Sequence, residues 1–169
     1  TASFFGVGTI YAVKAGLSVS ETALFMTLFI GFGAASQWPL GWLSDKIDRR
    51  KVILLCCASV ISICVVLASF EFTSTVFLIL SALVGACTLP LYSLGVAQAN
   101  DRLQPKQMIS ASGTIVLVFS VFAALGPFTM SYFLDLFEMF GFMLYMGIVH
   151  LVIAVTVLMM MLINQNVDE

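Results

Sequence analysis

Charged side chains are scarce in this sequence, and their scarcity excludes most soluble proteins. Only 9% of the 169 residues are Asp, Glu, Lys or Arg, whereas 61% are hydrophobic and the mean hydropathy is +1.10. Ordinary soluble domains are about 45–50% apolar. The sequence also has no recognisable P-loop, no Ser-His-Asp arrangement and no spaced zinc ligands. We therefore expect a membrane protein that is not an enzyme and uses no cofactor and no metal.

The four cysteines fall within apolar runs rather than in polar loops: Cys56, Cys57, Cys64 and Cys87. Disulfides belong to extracellular loops, whereas free cysteine packs as a small hydrophobic residue. We expect four free thiols with a packing role.

Uncharged segments divide the chain into six parts. They are residues 1–13, 22–44, 52–70, 72–100, 107–134 and 139–167. A helix needs roughly 17–25 residues to cross ~30 Å of hydrocarbon, and all but the first run reach that length. The pattern predicts an all-α bundle of six transmembrane helices, forming one domain over residues 1–169. Within it, helix two ends near Ser44, helix four runs from about Thr73 to Asn100, and helix six begins near Glu138 and ends near Ile163.

Basic residues are concentrated on one side of the predicted bundle. The loops after helices two and four hold Lys46, Arg49, Arg50, Lys51, Arg102 and Lys106, whereas the other side has Lys14 with Glu21, Glu71, Asp135 and Glu138. The positive-inside rule places the basic loops in the cytoplasm. Both ends of the chain are then cytoplasmic, and we expect a bacterial inner membrane. Because the chain starts at Thr1 without a basic flank, we also expect a preceding segment.

Three prolines interrupt the predicted helices: Pro39 in helix two, Pro90 in helix four and Pro127 in helix five. Inside a bilayer such breaks are tolerated where neighbouring helices or cavity water satisfy the freed backbone. Small and polar residues follow one face of the same helices. Close helix packing explains such stripes, and so does a solute cavity, whose candidate wall is Tyr11, Trp38, Thr88, Tyr92 and Ser93.

His150 is the single histidine and lies near the middle of helix six. An ionisable group inside the membrane is a functional candidate, here a proton site. Its small neighbours Gly147 and Ala154 favour the alternative, a packed neutral imidazole that hydrogen-bonds a neighbouring helix. No Asp, Glu, Lys or Arg lies in the middle of any predicted helix. A titrating carboxylate is therefore expected outside this sequence.

The charged stretch Gly41–Lys51 carries the clearest resemblance to a known family. Five residues match the cytoplasmic signature of the major facilitator superfamily of membrane transporters: Gly41, Asp45, Lys46, Arg49 and Arg50. The second glycine of that signature is Asp48 here, so the turn that glycine permits must be made differently. The signature lies after the second helix, as it does in the family.

The resemblance implies half of a twelve-helix transporter, here the C-terminal half, built as a 3+3 inverted repeat. Its function is then secondary active transport of a small solute by alternating access. The implied partners are an N-terminal six-helix half, the lipid bilayer, the solute and a coupling ion such as H⁺, with no nucleic acid. Asp45 would hold the closed inner gate by meeting a helix N-terminus in the other half. The alternative is a six-helix sensor or assembly scaffold without transport activity.

Overall fold

A computed structural model describes residues 2–70, 73–101 and 103–165. Six helices occupy this part of the chain: α1 (Ala2–Lys14), α2 (Val19–Lys46), α3 (Arg49–Ser69), α4 (Ser74–Thr88), α5 (Pro90–Asn100) and α6 (Pro105–Gln165). The chain is therefore all-α over the described ranges, as expected. The contributions of Glu71 and Arg102 to the charge asymmetry fall outside these ranges.

Three of these helices, α4, α5 and α6, correspond differently to membrane spans. Helices α4 and α5 follow each other directly and form one span, Ser74–Asn100, whereas α6 holds two, which we call the first arm (Lys106–Glu138) and the second arm (Phe140–Ile163). Five helices in the described residues are thus long and apolar enough to cross a membrane. The expected sixth, α1, has 13 described residues, which correspond to a length of roughly 20 Å.

The two arms of α6 are joined at a strained residue. Glu138 has φ 52° and ψ −133°, a conformation that glycine adopts and that other residues avoid. Beyond the turn, Gly141 approaches the backbone so closely that an added Cβ would overlap the Phe133 carbonyl oxygen. The second arm then runs back beside the first, with the Thr129 hydroxyl 3.1 Å from the Tyr145 hydroxyl.

Aromatic rings fill the core between α1, α2 and the second arm. Phe4 stacks on Phe29 with ring centroids 3.5 Å apart, and Tyr11 stacks on Phe142 at 4.1 Å. All four side chains are buried. Helix α2 packs mainly on α4, whereas α1 and α3 pack mainly on α6. Helix α1 is therefore held by rings that belong to two different spans.

Glycine permits the closest approach of α2 to α4. A Cβ added to Gly85 would overlap the carbonyl oxygen of Phe29, and one added to Gly33 would lie 2.9 Å from the Gly85 carbonyl oxygen. Small residues let membrane helices approach with their backbones in contact. These two glycines therefore serve the packing of α2 against α4.

The break at Pro90 is satisfied by a neighbouring helix. Proline has no N–H, so the carbonyl of Ala86, four residues earlier, loses its helical partner. The hydroxyl of Ser36 on α2 donates to that carbonyl oxygen at 2.6 Å. The expectation that a neighbouring helix satisfies the freed backbone is confirmed at this proline.

The helix ends form two clusters of unlike charge. The basic end contains the junctions α2–α3 and α5–α6, and its described charged residues are Asp45, Lys46, Asp48, Arg49, Arg50, Lys51, Asp101 and Lys106. The acidic end contains the junctions α1–α2 and α3–α4 and the turn of α6, with Lys14, Glu21, Asp135 and Glu138. At the acidic end α2 begins with a capping box, because the Ser18 hydroxyl accepts from the Glu21 N–H and the Glu21 carboxylate accepts from the Ser18 N–H.

Candidate functional site

The charged stretch at the basic end is mostly helical rather than a loop. Helix α2 continues to Lys46, two residues beyond the expected end, and α3 begins at Arg49. Only Ile47 and Asp48 connect the two helices. The signature residues therefore occupy two facing helix ends, which fixes their side chains more firmly than a loop would.

Asp48 makes the turn without the conformation that glycine provides. Its backbone has φ −53° and ψ 118°, and its carboxylate accepts a hydrogen bond from the Arg50 N–H at 2.9 Å. It is thus the N-cap of α3, a position that aspartate favours. Ile47 is extended at φ −125° and ψ 166°. The departure from the family pattern is accommodated by a helix cap.

Arg49 is the centre of a charged cluster that joins three helices. We call Ser44, Asp45, Arg49 and Asp101 the Arg49 cluster. The guanidinium donates to the Asp45 carboxylate at 3.1 Å, to the Asp101 carboxylate at 3.1 Å and to the Ser44 hydroxyl at 3.0 Å. These contacts tie the end of α2 and the residue after α5 to the start of α3.

Solvent exposure limits the strength of the ion pairs in the Arg49 cluster. The Arg49 side chain is 17% exposed, whereas those of Asp45 and Asp101 are 69% and 55% exposed. Ion pairs with exposed carboxylates contribute about 0.2–1 kcal/mol each. Each ion pair of the cluster is therefore weak on its own.

The other signature residues have separate partners. The Lys46 ammonium lies 3.7 Å from the centre of the Trp42 ring, a cation–π contact. Arg50 donates to the Met160 carbonyl oxygen of the second arm at 3.3 Å. An added Cβ at Gly41 would have no neighbour within 4 Å. Within the described residues, no neighbouring helix therefore lies close to Gly41.

The five candidate cavity residues do not share one open surface. Trp38 is 80% exposed and Tyr92 43% exposed, and Ser93 is exposed as well. Tyr11 and Thr88 are buried, at 4% and 3%. Tyr11 packs against the Phe142 ring, and Thr88 is turned toward the second arm. The assignment of these two residues to a solute cavity stays a prediction.

Tyr92 lies at an open groove between α5 and the first arm. The groove has a volume of about 360 Å³ and is lined by residues that include Gly95, Val96, Thr114 and Phe119. The Tyr92 and Phe119 rings are 4.6 Å apart. The Ser93 hydroxyl donates to the Pro90 carbonyl oxygen of its own helix at 2.9 Å. Tyr92 thus lines this groove and also exposes its ring.

His150 is paired at both ring nitrogens. It is 2% exposed; Nδ1 lies 2.7 Å from the Met146 carbonyl oxygen and Nε2 lies 3.2 Å from the Thr88 hydroxyl. A carbonyl oxygen only accepts, so Nδ1 carries the proton and the Thr88 hydroxyl donates to Nε2. The imidazole thus links the second arm to the end of α4, as the packing alternative anticipated. A role in proton transfer or in packing stays a prediction.

Sequence reasoning did not single out Asp101. Its partner Arg49 lies 52 positions earlier, beyond the reach of any local spacing rule. The available signal was an acid beside Arg102 in an otherwise basic junction. In the described ranges, no group of three or more His, Cys, Asp or Glu side chains could hold a metal ion.

Comparison with known proteins decides the family. The model of the Major Facilitator Superfamily matches residues 1–168. The chain belongs to the major facilitator superfamily. It is accordingly an integral membrane protein, in agreement with the five long apolar helices among its described residues.

Two relatives of this superfamily protein are named as MFS-type transporters. An uncharacterized MFS-type transporter of Enterobacter sp. (strain 638) is 26% identical over 125 residues, which is 74% of this chain and 32% of the relative. The uncharacterized MFS-type transporter YcaD of Escherichia coli (strain K12 / DH10B) gives the same identity and coverage. The chain thus spans about a third of the length of these curated relatives. No solved structure matches it.

Proposed function

We propose that this chain is one six-helix half, the C-terminal one, of a secondary transporter that moves a small solute by alternating access. Membership of the superfamily over residues 1–168 is the observation that carries the proposal. The 3+3 repeat, the N-terminal partner half and H⁺ as the coupling ion belong to the same proposal. A non-transporting sensor or scaffold has no comparable support.

The first arm supplies the surface for a partner half. No residue in its most apolar stretch is buried in this bundle, although the arm is 33 residues long. It carries the stripe Ser110, Gly113 and Ser120, all exposed. Small residues of this kind favour helix contacts in membranes, so a second bundle can pack closely there.

The wall that this half offers a solute is aromatic and weakly polar. Trp38 and Tyr92 are its exposed rings, and no described charged residue lies near the middle of a span. Such a wall suits an uncharged or amphipathic solute. The Tyr92 groove is its best-defined part, so we assign Tyr92 rather than His150 to solute contact.

The gate role of Asp45 can be tested with a matched variant. Asp45→Asn removes one negative charge from the Arg49 cluster, whereas Asp48→Asn removes one negative charge nearby and keeps a residue that caps helices well. We expect Asp45→Asn to shift the balance between inward-open and outward-open states, and Asp48→Asn to leave it unchanged. The measurement is the reactivity of a reporter cysteine at Ser93 in membranes containing the full-length protein.

Equal reactivity in both variants and the parent would reduce the signature to a marker of topology. Orientation is tested separately, in intact cells that contain the full-length protein. A cysteine at Asp48 should react only with a membrane-permeant thiol reagent in intact cells, and a cysteine at Thr73 should also react with an impermeant one. Labelling of position 48 from outside would contradict both the orientation and the gate.

A further inference from the structure

An apolar cavity lies between α5 and the second arm, in the half of the bundle next to the basic end. It has a volume of about 470 Å³, within the range of about 300–1,000 Å³ that ligand sites occupy. Its limits are Leu91 and Ala99 on α5 and Val152 and Met160 on the second arm. We call it the α5 cavity. The Tyr92 groove lies between α5 and the first arm instead, and the two share Leu91, Gly95 and Ala99.

The position and length of the α5 cavity match those of a lipid acyl chain. Ala99 and Met160, its limits toward the basic end, lie close to Asn100 and Ile163, where their membrane spans end. Eight residues separate the two limits on each helix, so the cavity extends about 12 Å along the helix axes. Half of the hydrocarbon core is about 15 Å thick. The cavity therefore begins at the level of the headgroups and follows most of one leaflet.

The wall of the cavity is apolar and open to the outside. Val152 is 59% exposed and Met160 48% exposed, so the surroundings of the bundle reach the cavity between the two helices. Of the described side chains that line it, only Gln98 and Thr156 are polar. The Thr156 hydroxyl donates to the Val152 carbonyl oxygen of its own helix at 2.8 Å. Water would find few partners here, whereas a hydrocarbon chain suits the space.

A cation lies at the end of the cavity that faces the headgroups. The Arg50 guanidinium donates at 3.3 Å to the carbonyl oxygen of Met160, the limit of the cavity on the second arm. Lys51 follows on α3 and is exposed. Guanidinium groups bind phosphate, and basic pockets between transmembrane helices bind the headgroups of anionic lipids. An acyl chain in the α5 cavity therefore brings its own phosphate to Arg50.

The other charges at the basic end leave a positive balance. Its five described cations exceed its three described carboxylates by two. Asp45 and Asp101 both accept from Arg49, and Asp48 accepts from the Arg50 N–H as the cap of α3. Two helix amide ends, of α3 and α6, and three carbonyl ends, of α2, α5 and the second arm, meet at this end. Their sum is about half a negative charge, which the side chains outweigh.

We propose that the α5 cavity binds one acyl chain of an anionic phospholipid, with the phosphate of that lipid against Arg50. A neutral lipid can fill the same space but gains less from the cation. This binding requires neither transport nor a particular orientation of the basic end. Its test therefore leaves the half-transporter proposal to its own experiments.

Two lipid probes isolate the charge of the headgroup. Phosphatidylglycerol and phosphatidylcholine with the same diazirine-bearing acyl chain are each added in trace amount to phosphatidylcholine nanodiscs that hold the full-length protein. Mass spectrometry maps the adducts after illumination. We expect phosphatidylglycerol to label residues 152–160 about fivefold more than phosphatidylcholine, the factor that one Lys or Arg near the membrane surface contributes.

Val65 and Val66 on α3, exposed and remote from the basic end, should show no preference for phosphatidylglycerol. Equal labelling of residues 152–160 by the two probes would overturn the proposal. So would the absence of adducts there with both probes, since a second copy of the protein or a solute would then fill the cavity.

A pair of variants tests the cation. Arg50→Gln removes the charge and keeps N–H donors. Lys46→Gln is the matched control, because Lys46 belongs to the same end but lies over the Trp42 ring on α2. We expect Arg50→Gln to lower the preference for phosphatidylglycerol about fivefold and Lys46→Gln to change it much less. Equal preferences in the two variants would refute the site at Arg50.

A second pair of variants tests the space itself. Thr156→Phe places a larger side chain in the cavity, whereas Thr156→Val changes the same residue without adding volume. Thr156→Phe should reduce the labelling of residues 91–99 by phosphatidylglycerol several-fold, and Thr156→Val should leave it unchanged. Labelling that Thr156→Phe retains at the level of Thr156→Val would place the acyl chain outside the cavity and contradict the proposal.

Discussion

Gly85→Ala is the sharpest test of how α4 meets α2. The added Cβ would overlap the Phe29 carbonyl oxygen and lie 2.8 Å from the Phe29 carbonyl carbon. Both obstacles are backbone atoms, which a rotamer change cannot move. Phe29 is fully buried and stacked on Phe4 at 3.5 Å, so α2 cannot shift without disturbing the aromatic core.

Two opposing terms set the size of the effect. Alanine in place of glycine stabilises a helix by about 1 kcal/mol. Overpacking a tight core costs about 1–3 kcal/mol. Gly31→Ala on α2 is the matched control, because a Cβ there has no neighbour within 4 Å. We expect Gly31→Ala to raise the free energy of unfolding and Gly85→Ala to lower it.

Thermal unfolding of the two purified variants in the same detergent measures the difference. The expected result is a midpoint below that of the parent for Gly85→Ala and a midpoint at or above it for Gly31→Ala. If the two variants unfold at the same temperature, the backbone contact between α2 and α4 does not exist as described. A lower midpoint for both variants would show instead that the substitution itself, rather than the contact, is harmful.

Three further predictions each concern one residue. Ser36→Ala should destabilise the protein by about 1–3 kcal/mol, because it leaves the Ala86 carbonyl unpaired; Ser112→Ala, which removes an exposed hydroxyl bonded to its own helix, should change the unfolding midpoint little. Glu138→Gly should stabilise the protein by about 1–3 kcal/mol, since glycine adopts the observed φ of 52° without strain; an unchanged or lower midpoint would argue against strain at the turn. His150→Gln should leave the pH profile of transport by the full-length protein unchanged, and a lost pH dependence would restore the histidine as the proton site.

Features that depend on neighbouring residues could be predicted from the sequence. Long uncharged runs predicted the membrane spans, because the free energy of burying a side chain in lipid depends on the type of that side chain and not on its tertiary contacts. The capping box joins Ser18 and Glu21, which are three residues apart in sequence. Asp45 at the end of α2 and Arg49 at the start of α3 form an ion pair and are four residues apart. The charge asymmetry between the two ends was likewise visible. Sequence patterns therefore sufficed for the existence of the helices and for half of the Arg49 cluster.

The remaining half of that cluster was decided by the tertiary structure. Asp101 reaches Arg49 across 52 residues, and Ser36 reaches the carbonyl freed by Pro90 across a similar distance in sequence. The same holds for Thr88, which sequence periodicity assigned to an open wall and the fold buries against His150. None of these pairs has a spacing that a helix repeats.

The physical reason is that lipid does not distinguish one apolar helix face from another. In water the hydrophobic effect selects the buried face, whereas in a bilayer helices associate through van der Waals packing and interhelical hydrogen bonds. Which faces meet is then set by the fit of backbone against backbone, as at Gly85 and Phe29. The sequence determined by itself that the chain crosses a membrane and where it turns. Only the tertiary structure decided that Tyr11 lies inside and Tyr92 outside, because those positions depend on the close approach of helices that are distant along the chain.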